Sequence, residues 1–184
     1  MTDVTQEHAP PDPATQDHFA RFGLARAFAI DEPALEAAHQ RMSMELHPDF
    51  FAAAPDAEKQ AAERRAAAFN EAYRILRSPT RRAQYLLRLL ADGRALDTDR
   101  LPEGFLQEMF LLQESVDELG EDGDSAEREA LRQDAERRLN AVWDDLGTRF
   151  DAAVADPTTE RLQEIQSQLN CSKYLQRLLD RLSD

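Results

Sequence analysis

The stretch HQRMSMELHPDFF, residues 39–51, contains the feature that decides the fold. Before it, an Asp31-Glu32-Pro33 cap opens an amphipathic helix whose buried stripe recurs at helical spacing: Leu35, Ala38, Met42 and Leu46. Pro48 ends that helix because its ring clashes with the preceding turn and it has no N–H to donate. The sequence therefore predicts an exposed turn at His47-Pro48-Asp49.

A second long helix is predicted after a loop that extends to about Asp56. Its buried face consists of Ala62, Ala66, Phe69, Tyr73 and Leu76. Because the connection is short, the two helices are expected to pair antiparallel. A short apolar segment from Asp17 to Gly23 precedes the pair, and a short helix that ends at Asp92-Gly93 follows it.

Composition favours an all-α protein, since Val and Ile are rare and helix-forming residues fill most of the chain. Lys and Arg total 22 against 36 Asp and Glu, a net charge of −14, which argues against a nucleic-acid binder. No apolar run could cross a bilayer, and the first twenty residues resemble no secretory or mitochondrial signal. Together with the single Cys171, these features predict a bacterial cytoplasmic protein without a membrane partner.

A second helical unit is predicted over residues 102–184. Pro102 is expected to open a helix to about Leu119, and the acidic turn GEDGDS leads to a long helix capped by Asp124 and Glu127. A break at Asp156-Pro157 precedes the last helix. The predicted organisation is a disordered tail over 1–16, a domain over 17–92, a linker over 93–101 and a three-helix bundle over 102–184.

The first helix of the bundle is apolar on two faces. At about 100° per residue, its core stripe falls within about 40° of one direction: Phe105, Met109, Leu112, Val116 and Leu119. The outer side combines Leu106, Phe110 and Leu111 with Gln107, Glu114 and Glu118. An exposed apolar patch beside carboxylates favours a partner site. The other interpretation is that the linker or the first unit covers this face.

The first unit resembles the J domain, in which an HPD loop joins two antiparallel helices. The resemblance rests on the DHFARFGL segment, the HPD tripeptide and matches at the end of the second long helix and beyond: Asn70, Ala72, Tyr73, Leu76, Pro79 and Arg82-Ala83-x-Tyr85. A J domain followed by a small acidic helical bundle resembles the HscB-type co-chaperones of iron–sulfur cluster assembly. This resemblance covers about residues 17–182. The helical pattern itself predicts two packed units in an L-shaped or dumbbell arrangement.

The resemblance also implies partners and site residues. In J domains the tripeptide docks on the ATPase of a DnaK-type or HscA-type chaperone, so His47, Pro48 and Asp49, with Arg41, are expected to bind it and to stimulate ATP hydrolysis. In the HscB-type family, the outer helix face holds the scaffold protein IscU. The positions carried over are Leu106, Gln107, Phe110, Leu111, Glu114 and Glu118, with Tyr174 on the last helix. No cofactor, metal or catalytic residue is implied, and the chain would activate a partner enzyme.

Two features depart from this pattern. J domains usually carry several basic residues before the tripeptide and a Lys soon after it, whereas Arg41 is the main cation here. The electrostatic part of docking is therefore weaker, or it falls to Lys59, Arg64, Arg65 and Arg74. The cysteine-rich zinc module found in some relatives is absent from the sequence.

Other interpretations stay open. An enzyme could use His47 and Asp49 as a general acid/base pair, although the sequence indicates no concave pocket beside them. A J-domain protein could also serve a different client or dimerise through the bundle. GEDGDS lacks the ligand spacing of a calcium loop, His39 has no second ligand pair for a metal, and Cys171 is expected to be a small buried residue.

Overall fold

The computed structural model describes residues 16–120 and 124–183. All regular secondary structure within them is helical: α1 (His18–Arg21), α2 (Glu32–Glu45), a 3₁₀ turn (Pro48–Phe51), α3 (Asp56–Arg77), α4 (Pro79–Ala91), α5 (Phe105–Leu119), α6 (Ser125–Ala155) and α7 (Thr159–Ser183). The predicted tail lies outside the described residues except for its last position, as does the centre of the acidic turn. None of the described helices is long and apolar enough to cross a membrane.

Aspartate side chains cap the N-termini of α1 and α2 and fix where these helices begin. The Asp17 carboxylate accepts a hydrogen bond from the Ala20 amide, and the Asp31 carboxylate accepts one from the Ala34 amide, each at 2.9 Å. These bonds satisfy helix N–H groups that have no partner within the helix. The predicted start of α2 at the Asp31 cap is therefore confirmed.

The described chain forms two compact units, and the division falls within α4. The first unit contains the residues up to Arg26 and Ile30–Arg82. In it, α2 and α3 pack on each other, and their core contains Leu35 and Leu76, which are almost fully buried. Phe22 meets Phe69 edge to face, with ring centroids 5.5 Å apart.

Polar side chains also join α2 to α3. The His39 ring stacks on Tyr73 with centroids 3.9 Å apart, and its Nε2 lies 2.9 Å from the Asn70 amide oxygen. The Tyr73 hydroxyl donates a hydrogen bond to Glu36, which lowers the pKa of that carboxyl and raises the pKa of the tyrosine. These contacts hold the two helices on either side of the HPD turn.

The second unit contains Ala27–Ala29 and the residues from Ala83 onward. Helices α5, α6 and α7 pack together as the predicted three-helix bundle. Ala135, Leu146 and Phe150 of α6 are fully buried, and Leu162 and Ile165 of α7 are as well. The Phe28 ring stacks on Trp143 and Phe150, so Trp143 contributes to the packing of this unit.

Two local features differ from the sequence-based expectation. Pro102 does not open α5, which begins at Phe105 after Gly104, a residue held at φ 79° in the left-handed region where glycine is favoured. The segment before Pro102 was expected to be a linker, and it is tied to α7: the Asn170 amide donates to the carbonyls of Thr98 and Arg100 at 2.7 and 3.1 Å. Gln163 both donates to and accepts from the Asp97 backbone at 2.8 Å.

Candidate functional site

Proline chemistry shapes the HPD turn. His47 is extended, at φ −64° and ψ 134°, because a following proline disfavours helical backbone at the preceding residue. Pro48 then starts the 3₁₀ turn with its fixed φ, and the Phe50 amide closes that turn on the His47 carbonyl at 3.0 Å. The tripeptide therefore has a defined backbone conformation between α2 and α3.

Both polar side chains of the tripeptide face solvent. The His47 side chain is 56% exposed and the Asp49 side chain 89% exposed. The Asp49 backbone amide donates to Nδ1 of His47 at 3.3 Å. In a neutral imidazole this bond leaves the ring proton on Nε2, which is then a hydrogen-bond donor. The turn thus presents one carboxylate and one imidazole N–H to a partner.

Two large apolar side chains flank the tripeptide, and the sequence analysis did not assign them to the site. Phe50 is 75% exposed and Met44 is 63% exposed. The Phe50 ring meets the His47 imidazole edge to face, with centroids 6.4 Å apart. The signal in the sequence was the pair of phenylalanines after Asp49: Phe51 is half-buried beside the core, while Phe50 stays outside.

The cations that the sequence suggests for chaperone docking are of two kinds. Arg74 is held by Glu71 in an ion pair of 2.6 Å on the same helix. Arg41, Arg64 and Arg65 are exposed, and Lys59 is half-buried. Within residues 16–120 and 124–183, none of these four side chains forms an ion pair. They are therefore free to meet an acidic partner surface.

A cleft of about 430 Å³ opens beside the turn, although the sequence had indicated no concave pocket there. Its wall comes from α2, the 3₁₀ turn and α3 and includes Met42, Leu46, Phe51 and Phe69. Pro48 lines this cleft, whereas His47 and Asp49 are not among its lining residues. The acid/base pair required by the enzyme interpretation therefore does not face the cavity.

The outer face of α5 is as apolar as its sequence predicts. Leu106, Phe110 and Leu111 are 58%, 62% and 55% exposed, whereas Met109 and Val116 on the inner side are 3% and 8% exposed. Apolar side chains exposed to this degree on one helix are uncommon unless a partner covers them. We call these three residues, with Gln107, Glu114 and Glu118, the α5 outer face.

Carboxylates accompany this face. Glu108 pairs with Arg138 at 3.1 Å and Asp117 with Arg181 at 2.5 Å, so the acids closest to the bundle are neutralised. Glu114 and Glu118 are exposed, and in the described part of the chain neither forms an ion pair. Like charges four residues apart destabilise a helix slightly, so a partner cation would relieve their repulsion.

Tyr174 occupies a different environment from the other predicted scaffold-binding residues. It is half-buried, and its ring meets Phe105 edge to face with centroids 6.0 Å apart. Phe105 and Tyr174 both pack against the bundle core. The structure therefore brings the six residues of the α5 outer face together, whereas Tyr174 of α7 packs beside Phe105 on the core side of α5.

The remaining candidate groups have structural surroundings. Cys171 is 2% exposed, and burial raises the pKa of its thiol to about 11, so it is not a thiolate at neutral pH. In the part of the chain that the structure describes, no three His, Cys, Asp or Glu side chains form a group able to hold a metal ion.

Comparison with known proteins identifies the family of this chain. The family model described as the HSCB C-terminal oligomerisation domain matches residues 101–183. A "Co-chaperone protein HscB homolog" from Azoarcus sp. is 41% identical over 157 residues, which cover 82% of this chain and 88% of that protein. The chain belongs to the HscB co-chaperone family.

Other members of the HscB family agree with this assignment. The homolog from Chromobacterium violaceum is 39% identical over 140 residues, 76% of this chain and 77% of that protein. Two solved structures share the fold. "Chaperone HscB from Vibrio cholerae" has a TM-score of 0.72 at 24% identity, covering 91% of this chain and 96% of its own. The human co-chaperone HscB has a TM-score of 0.74 at 22% identity, covering 95% of this chain and 83% of its own. The HscB fold of a J domain and a C-terminal helical bundle is therefore confirmed.

Proposed function

We propose that this HscB family member stimulates the ATPase of an HscA-type or DnaK-type heat-shock chaperone through its HPD turn. Family membership and the exposed, conformationally defined His47 and Asp49 support this role. Pro48 fixes the backbone between them, so little conformational entropy is lost when the turn docks. Arg41 on α2 supplies positive charge on the approach to the turn, which favours an acidic surface on the chaperone. The chain itself acts as an activator rather than an enzyme.

The second proposed partner is an IscU-type iron–sulfur scaffold protein, bound by the α5 outer face. The observation that carries this proposal is the exposure of Leu106, Phe110 and Leu111, each more than half accessible on one helix. Apolar anchors of this kind supply most of the affinity at protein interfaces. Glu114 and Glu118 would pair with basic residues on the scaffold, and Tyr174 would contribute from the edge beside Phe105.

The two partners suggest a mechanism of coupling by proximity. One chain that holds a scaffold on its C-terminal unit and engages the chaperone with its J domain raises the effective concentration of scaffold at the chaperone. The turn at the same time triggers hydrolysis of ATP by the chaperone. The expected setting of this activity is the bacterial cytoplasm, where it supports iron–sulfur cluster assembly and transfer.

Calorimetric titration with the scaffold protein tests the role of the α5 outer face. Replacement of both Phe110 and Leu111 by Ala is expected to raise the dissociation constant by about two to three orders of magnitude, since each buried anchor contributes about 2 kcal/mol. Phe50→Ala is the matched control, because it removes another exposed phenylalanine from the same chain. Equal affinity of all three proteins would overturn the assignment of this face.

Self-association is the second candidate function of the α5 outer face. The description of the matching family model as an oligomerisation domain favours it. Sedimentation of the chain alone over a range of concentrations separates the two candidates. A dimer that is lost on replacement of Phe110 and Leu111 would support self-association, whereas a monomer that binds scaffold would support the adaptor.

A further inference from the structure

A second cleft, of about 370 Å³, lies wholly within the C-terminal unit. Residues from α4, the segment before α5 and helix α7 line it. Its apolar floor is formed by Leu87, Ala91 and Leu169, which are buried, and by the half-buried Leu96. A volume of this size lies in the range of small-molecule pockets, about 300–1,000 Å³.

The charge of this cleft is opposite to that of the protein. Its charged lining residues are Arg88, Arg94 and Lys173, and no carboxylate is among the lining residues. The whole chain carries a net charge of −14. In the described residues, none of these three cations forms an ion pair, although most other arginines of the C-terminal unit do.

Hydrogen bonds hold Arg94 in place without neutralising it. Its guanidinium donates to the carbonyl of Ala91 at 2.9 Å, to that of Leu90 at 2.7 Å and to that of Pro157. All three acceptors are neutral, and a guanidinium has five N–H groups. The side chain is therefore fixed at the cleft with its full charge and with donors to spare.

Neighbouring groups also orient the lining residue Lys173. The Lys173 ammonium lies 3.3 Å from the amide oxygen of Asn170, and the buried Asn170 side chain binds the backbone of the segment before α5. The neighbouring acid in that segment, Asp97, uses a carboxylate oxygen to accept the Asp99 amide at 3.0 Å. Arg88 lies over the Tyr85 ring at 5.9 Å, a contact that leaves its charge uncompensated.

We propose that this cleft binds a compact polyvalent anion, a polyphosphate or a polycarboxylate. Three positive groups with free donors recognise closely spaced oxygens, and the apolar floor accepts the rest of an organic ligand. Arg88, Arg94 and Lys173 are exposed, so salt screens their attraction for an anion, and we expect binding to be strongest at low ionic strength. The cleft shares no lining residue with the HPD turn or the α5 outer face.

Calorimetric titration of the full chain with inorganic pyrophosphate and, separately, with citrate tests this proposal. At low ionic strength we expect one-to-one binding of at least one of them, with a dissociation constant raised about tenfold or more in Arg88→Gln/Lys173→Gln. The matched control is Arg64→Gln/Arg65→Gln, which also removes two positive charges, from exposed positions on α3 that do not line the cleft. That double variant is expected to bind like the unmodified chain.

The outcomes are distinct. Binding of pyrophosphate alone assigns a phosphate ligand, binding of citrate alone assigns a carboxylate ligand, and binding of both supports recognition of any compact polyanion. Absence of binding at millimolar concentration would overturn the proposal. An equal loss in the control variant would also overturn it, because the effect would then follow net charge. Circular dichroism of each variant checks that both units remain helical.

Discussion

Nδ1 of His47 accepts a hydrogen bond from the backbone amide of Asp49 at 3.3 Å, and it lies 3.5 Å from the carboxylate of the same residue. The imidazole is therefore oriented by the turn that it belongs to. The Nε2–H of the neutral ring and the exposed Asp49 carboxylate give the turn one donor and one acceptor group. A glutamine at position 47 keeps an amide but loses this ring geometry.

Phe50 is predicted to contribute to chaperone docking. Its exposed ring packs against the His47 imidazole, and aromatic contacts of this kind are worth about 0.5–1.5 kcal/mol. Phe50→Ala should raise the concentration for half-maximal stimulation of the chaperone ATPase by about threefold or more. Met44→Ala, at the other exposed apolar position, reports whether the effect is specific to the aromatic contact. Unchanged stimulation by Phe50→Ala would show that this ring has no part in docking.

Substitutions at two adjacent residues of α5 are predicted to have different effects, one on stability and the other on scaffold binding. Met109 is 3% exposed and Phe110 is 62% exposed. Met109→Ala should lower the free energy of unfolding by about 2–5 kcal/mol because it leaves a cavity in the bundle. Phe110→Ala should change it by less than about 0.5 kcal/mol while weakening scaffold binding. Urea denaturation with calorimetry measures both quantities, and a large loss of stability in Phe110→Ala would contradict the partner-site role.

Cys171 is predicted to be unreactive in the folded protein. Burial raises the pKa of its thiol to about 11, and only the thiolate attacks a disulfide reagent. At pH 8 an aromatic disulfide reagent should label the native chain at least about a hundredfold more slowly than the urea-unfolded chain. Rapid labelling of native protein would mean that α7 opens locally at this position.

Glu129 on α6 is predicted to titrate far below its ordinary range. Hydrogen bonds from Arg132 and Gln133 lower the pKa of its carboxyl from 4.5 to about 2. The folded state then binds fewer protons than the unfolded state between these values. Its contribution to stability is therefore complete above pH 4.5 and is lost as the pH falls toward 2.

Carbon-detected NMR titration of the Glu129 side chain checks this prediction. Arg132→Gln should move the midpoint back toward 4.5, because it removes the main hydrogen-bond donor to the carboxylate. Arg137→Gln is the control, since Arg137 pairs with Asp134 on the same helix. A midpoint near 4.5 in the unmodified chain would contradict the ion pair seen in the structure.

Local signals predicted much of the fold. The Asp31 cap, Pro48 and the apolar stripe of α5 each act within a few residues, so their effects could be derived from sequence alone. The exposure of Leu106, Phe110 and Leu111 follows from the same helical periodicity. The functions of the HPD turn and the α5 outer face came from family resemblance, and both remain predictions at the level of individual residues.

Long-range features could not be derived in this way. Nothing in the local sequence shows that Asn170 binds the carbonyls of Thr98 and Arg100, because the bonded residues are about seventy positions apart. The two clefts depend on how separate helices pack. The start of α5 was misplaced at Pro102 because Gly104, rather than the proline, supplies the unusual backbone conformation that precedes the helix.

Steady-state ATP turnover by the partner chaperone tests most directly whether the HPD turn and the α5 outer face are separate binding surfaces. The assay compares the unmodified chain, His47→Gln and Phe110→Ala/Leu111→Ala, each with and without scaffold protein. We predict that His47→Gln loses stimulation by about tenfold or more under both conditions. The α5 double variant should stimulate normally alone and lose only the additional increase due to scaffold. Full stimulation by His47→Gln, or loss of basal stimulation in the α5 variant, would contradict the assignment of two separate binding surfaces.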